Sequence, residues 1–206
     1  MTNTYIIRAK WVVPLIADPI ADGAVVVTND RIAKVGNYKD LRGFYGVQEI
    51  VNIGNAALLP GFICIEPEIP KVLSDSKLAM IDFVQQAISH GVCCIGMASP
   101  VEQQLIRVVG YKDLASDIIV GVDGDILNRM RQMTGVEPLE IFSKFTINPA
   151  MALGYEHVGL VGAAVADLVG VAIDNDAEEP LADILESKFS VVLTVSQGRI
   201  VYRRDN

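Results

Sequence analysis

Hydrophobic and polar positions change rhythm twice along the 206-residue chain. At the amino end, "YIIRAKWVV" (5–13), "AVVVT" (24–28) and "RIAKVG" (31–36) are rich in β-branched residues and predict strands, with "TND" (28–30) as a hairpin turn. A short helix at about 38–44 and a strand in "VQEIVNIG" (47–54) complete this block. From Ala57 the pattern becomes continuous. "LLPGFICIE" (58–66) has the apolar run of a strand buried on both faces. "SDSKLAMIDFVQQAISHG" (74–91) predicts a helix, with Ser74 or Asp75 near its N-cap and Gly91 past its end. "VCCIGMAS" (92–99) is apolar again, so a β-α-β unit with parallel strands follows. Next come a helix at about 101–109, a strand at 117–123, and helices at 125–134 and 137–154 closed by Gly135 and Gly154. The tail returns to strands at 165–173 and to a hairpin at 189–204 turning near Gln197-Gly198, with the acidic loop "DNDAEEP" (174–180) between them.

This order, β-rich, then α/β, then β-rich, predicts an α/β plus β fold. The two ends form one discontinuous β-sandwich, residues 1–58 and 156–206, with an α/β segment, 59–155, inserted between them. Composition narrows the function. The chain is 51% hydrophobic and carries 17 basic against 25 acidic residues, a net charge of −8. That balance repels phosphate backbones and anionic lipid, which argues against nucleic-acid and membrane-surface partners. No apolar run is long and uncharged enough for a membrane span, and Arg8 and Lys10 break the first one, so no signal peptide is expected. Three cysteines, Cys64, Cys93 and Cys94, sit in apolar strands without a C-x-x-C motif and fit a reducing cytoplasm.

Four phrases carry a resemblance. "GAVVVTNDRIAKVG" (23–36), "ALLPGFICIEPE" (57–68), "TINPAMALG" (146–154) with "GLVGAAVADLVGVAID" (159–174), and "VSQGRIVYRR" (195–204) resemble, in that order, the amidohydrolase superfamily. The branch containing aminodeoxyfutalosine and cytosine deaminases is the most similar. The resemblance implies an N- and C-terminal sandwich around a (β/α)-barrel with a metal-dependent site for hydrolysis of carbon–nitrogen bonds. A barrel of that kind takes about 250 residues. The stretch from Leu59 to Gly154 is less than half of that, so a truncated barrel of about three βα units is expected.

The family's His-x-His falls on Glu66-Pro67-Glu68, and its barrel aspartate on Asp123 in "VGVD" (120–123). "GYKDLAS" (110–116) is a rival match and would put Lys112 where that aspartate belongs. His90 and His157, the two histidines of the sequence, match no family ligand. Carboxylates in place of imidazoles suit magnesium or manganese better than zinc. Against a metal site, Pro67 and Pro70 fit a plain solvated turn, and three converging carboxylates repel without a cation. Other chemistry has weaker support. Ser99 and Ser116 lack a histidine base in their surroundings, "GVDGD" (121–125) has no twelfth-position Glu for a calcium loop, and the spaced glycines of 159–170 do not make G-x-G-x-x-G. Met130 and Met133 read as one core helix face.

The leading expectation is therefore a catalytically degenerate amidohydrolase-like protein without a cofactor, acting by ligand or partner binding. A homodimer or another protein is expected to cover the apolar surface that a partial barrel leaves open. The alternative is a working hydrolase or deaminase with a divalent metal held by Glu66, Glu68 and Asp123, with Asp123 also handling the proton. The resemblance links that alternative to futalosine-type menaquinone synthesis.

Overall fold

The computed structural model describes residues 3–66, 77–97, 107–110, 126–187 and 190–204. Its larger sheet is built from both ends of the chain. Strands β1 (Thr4–Val12), β2 (Ile20–Thr28) and β3 (Arg31–Asn37) form an antiparallel meander. After a one-turn helix, α1 (Tyr38–Leu41), strand β4 (Glu49–Asn52) lies parallel to the start of β1, and β5 (Ala56–Pro60) parallel to its end. Strands β9 (Leu168–Ala172), β10 (Val191–Ser196) and β11 (Arg199–Arg203) then join β5, giving the order β11-β10-β9-β5-β1-β2-β3 with β4 on β1. Tyr5 on β1 donates its hydroxyl to the Gly198 carbonyl at 3.0 Å, which ties the first strand to the turn of the last hairpin.

The smaller sheet is wholly parallel, in the order β6-β7-β8. It comprises β6 (Phe62–Glu66), β7 (Val92–Met97) and β8 (Arg107–Gly110), and helix α2 (Lys77–Ser89) makes the crossover from β6 to β7. Helices α3 (Ile126–Arg131), α4 (Pro138–Phe145), α5 (Ile147–Ala152) and α6 (Pro180–Glu186) follow. One buried cluster joins both sheets to α2, α3, α4 and α6, with Phe62, Ile95, Phe142, Val169 and Ile184 among its members. Arg131 fastens α3 to α6 through two guanidinium hydrogen bonds to the Ile184 carbonyl, at 3.2 and 3.1 Å.

Four local expectations need correction. The apolar run 58–66 is two strands in different sheets, because the chain crosses from one sheet to the other at Gly61. A methyl group there would overlap Cys93 Sγ and lie 2.7 Å from Cys93 Cβ, so only glycine fits the crossing. Within the expected helix at about 101–109, the described residues from Arg107 on belong to strand β8, whose β-branched valines suit a parallel strand. The expected helix 137–154 is two helices that break at Thr146 (φ −133°, ψ −77°). Pro149 explains the break. It has no N–H to give the Phe145 carbonyl, and its ring would press on that carbonyl in a continuous helix. Finally, α6 lies where the pattern gave no helix, starting at Pro180 just inside its first turn. The strand expected at 117–123 lies outside the described residues.

Candidate functional site

In sheets of parallel strands fed by helices, ligands bind beyond the carboxyl ends of the strands, and the amino ends serve stability. In the smaller sheet Glu66, Met97 and Gly110 are register partners in one row at that carboxyl edge. Glu66, one of the candidate positions, is the last residue of β6 and so stands at that edge. Glu68 and Asp123, along with Lys112, Ser99 and Ser116, lie outside the described residues.

Both histidines stand at the opposite end. His90 follows α2 directly, and the next residue, Gly91, accepts a hydrogen bond from the Phe62 amide at the very start of β6. It opens on a cleft of about 240 Å³ with Ser89, Leu127, Ser190 and Tyr202. His157 shares a narrow cavity of about 30 Å³ with Pro60, Gly61 and Asp167, again at the foot of β6. The distance from Gly61 to Glu66 along an extended strand is about 16 Å, beyond the reach of an imidazole at the foot to a ligand at the head.

The amino end is itself densely built. Gly61 N donates to the Asp167 carbonyl at 2.8 Å, and Gln197 N donates to Asp167 Oδ1 at 2.7 Å. Cys93 Sγ donates to the Leu168 carbonyl at 3.4 Å, Ser196 Oγ to the Cys93 carbonyl at 3.0 Å, and Thr194 Oγ1 to the Ile88 carbonyl at 2.8 Å. Burial raises the Cys93 thiol pKa well above its usual range, and the nearby Asp167 carboxylate and Cys94 push it further the same way. A thiol held protonated is a packing group, not a nucleophile. The sequence reading noted Asp167 only as a charge interrupting an apolar run. The usable signal was that interruption, since an aspartate in the middle of "VADLVG" must find donors when its strand is buried.

Among the described residues, no group of three or more His, Cys, Asp or Glu side chains is close enough together to hold a metal ion. No helix among them is long and apolar enough to cross a membrane.

Comparison with known proteins adds the lineage. The model of the amidohydrolase family matches residues 73–201, more than half of the chain. The chain belongs to the amidohydrolase family. This amidohydrolase-family chain is similar in fold to a Xanthomonas campestris adenosine deaminase crystallised with bound zinc. The TM-score is 0.70 and the identity 12%, covering 95% of this chain and 92% of the other. Helicobacter pylori aminofutalosine deaminase gives a TM-score of 0.71 at 11% identity, covering 97% of this chain and 100% of the other. E. coli guanine deaminase gives 0.72 at 9%, covering 98% and 100%. At such identities the likeness is one of fold. No curated protein matches the sequence.

Proposed function

We propose that this amidohydrolase-family chain has given up imidazole-bound zinc chemistry and acts by binding a small molecule or a protein partner. One observation carries the reading: both histidines of the chain lie at the amino end of the parallel strands, while Glu66 closes β6 at the carboxyl end, where His-x-His is expected from the family resemblance. The zinc seen in the X. campestris deaminase would need nitrogen, sulfur or carboxylate donors that converge. The imidazoles here stand at the wrong end, and Cys64 and Cys94 are buried within their strands. The described residues do not fit that group, and no catalytic step is derived through it.

The same proposal treats residues 1–58 and 156–206 as a composite β-sandwich and 59–155 as a partial (β/α)-barrel. The pairing of β5 with β9 in one sheet supports it, as does the short parallel sheet between them. A homodimer or partner protein would cover the open edges of that sheet. Three buried cysteines outside any disulfide suit a reducing, cytoplasmic setting.

A second reading keeps catalysis. Glu66 sits where a catalytic-face ligand belongs, and with Glu68 and Asp123 it would give an all-carboxylate site for magnesium or manganese, serving deamination of a heterocycle like those named for the structural neighbours. Metal content separates the two readings. The measurement is mass-spectrometric metal analysis of protein purified without chelator or histidine tag. It is repeated after incubation with zinc, manganese and magnesium, alongside an ammonia-release assay on adenosine and guanine. The binding-protein reading expects less than about a tenth of an equivalent of metal and no ammonia. Near-stoichiometric metal that is lost in the Glu66→Gln/Glu68→Gln variant would overturn it.

A further inference from the structure

A third region of the molecule, on the larger sheet and away from the strand ends described above, carries chemistry that the proposed function does not use. An open groove of about 750 Å³ runs between the β4–β5 connection and the β10–β11 hairpin. Two consecutive arginines, Arg203 and Arg204, line it. Consecutive residues in a strand face opposite ways, but β11 ends at Arg203, and both residues contribute to the wall of this groove. The far wall is amide: Asn52 and Asn55. Ile53 and Val192 add apolar surface.

Asn52 and Arg204 are anchored by hydrogen bonds. Asn52 Oδ1 accepts a hydrogen bond from Gly54 N at 3.0 Å, which leaves its Nδ2 as the group able to donate. Arg204 N donates to the Val192 carbonyl at 3.0 Å, and Arg204 Nη1 donates to Ser190 Oγ. Among the described residues the ion pairs are Arg8–Asp22, Arg31–Asp30 and Lys144–Glu140, and neither groove arginine takes part in one. Two cations side by side without a carboxylate, on a chain of net charge −8, stand out against the acidic average.

The geometry points to a binding site for a small organic anion, with an oxyanion group on the Arg203–Arg204 pair and an apolar body over Ile53 and Val192. Guanidinium groups match carboxylate and phosphate oxygens through paired N–H donors, and the asparagine amides extend the donor set across the groove. A groove of this size admits an anion of drug-like dimensions. Because the arginines are exposed, binding is modest and weakens with salt.

The test is titration of the ¹⁵N-labelled chain with phenyl phosphate and, separately, with benzoate. The expected result is saturable one-to-one binding of at least one probe that shifts the amides of Ile53, Gly54, Asn55 and Val192. The tighter probe identifies the preferred oxyanion. Arg203→Gln/Arg204→Gln should weaken that binding by about tenfold or more, since it removes the charged donors. Arg42→Gln/Arg199→Gln removes the same charge at exposed positions outside the groove and should leave affinity within about twofold. No saturable shift with either probe would overturn the site. So would equal weakening in both variants, which would assign the effect to net charge alone.

Discussion

The two ends of the small parallel sheet are built on different terms. At the amino end Gly61, Cys93, Asp167, Thr194 and Ser196 are tied by hydrogen bonds to neighbouring strands, to the turn of the last hairpin or to the end of α2. At the carboxyl end Glu66, Met97 and Gly110 stand in register at the edge where chemistry in this fold is done. The contrast teaches where each kind of constraint acts. The amino end is fixed by packing, so substitutions there should unfold the protein. On the proposed reading the carboxyl end serves binding, so substitutions there should alter binding and leave the fold intact.

The harshest way to break the comparison is Gly61→Val. A Cβ alone would overlap Cys93 Sγ and lie 3.0 Å from the Asp167 carbonyl carbon, in a core with no room to yield. We expect a loss of about 3 kcal/mol or more, or failure to fold, read as the urea midpoint or soluble yield. A stable variant would show that the two sheets are not locked at this crossing.

Next in size is Asp167→Asn, which leaves Gln197 N with a weaker acceptor and alters a buried polar junction. The expected cost is about 1–3 kcal/mol, with faster amide exchange at Gln197.

Alkaline pH sharpens the same point. Because burial raises the Cys93 pKa in the folded chain, the unfolded chain ionises first, and stability falls as pH rises past the usual thiol pKa of about 8.5. Tyr5 is raised as well, by burial and then by Glu49, and adds to the loss above about pH 10. Cys93→Ala should flatten the fall between about pH 8.5 and 10 by up to about 1.4 kcal/mol per pH unit. An unchanged slope would show that the thiol is not held protonated.

Tyr5→Phe removes one buried hydrogen bond between the ends of the chain and should cost about 1 kcal/mol by chemical denaturation. The smallest effect belongs to the other end of the sheet. Glu66→Gln should move the unfolding midpoint by less than about 0.5 kcal/mol. A large shift would make Glu66 part of the scaffold and erase the difference between the two ends.

Much of this was written in local pattern. Alternation and β-branching located β1, β2, β3 and the closing hairpin, and the apolar run "VCCIGM" marked a strand buried on both faces, where Cys93 and Cys94 are indeed both buried. Such signals are local. They depend on a few residues and on which face must leave water. The position of Glu66 at a strand end was legible for the same reason, since Pro67 cannot continue a parallel ladder. The break at Thr146 was also within reach, because Pro149 excludes an unbroken helix through Phe145.

Partner choice belonged to the tertiary structure. Nothing within "LLPGFICIE" says that its two halves join different sheets. That follows from Cys93 and Asp167, distant in sequence, closing on Gly61. Nor does "ISHG" or "EHVG" reveal on its own that each histidine sits at the foot of the parallel strands, because that depends on which end of β6 the α2–β7 turn and the α5–β9 connection reach. That Arg203 and Arg204 both line one groove is likewise decided by where β11 stops. Sequence by itself determined most of the strands, the glycine-terminated helix ends and the family, since each rests on short-range sterics, hydropathy or shared motif. Only tertiary structure decided which strand ends face one another, because long-range contacts are selected by the packing of the whole chain.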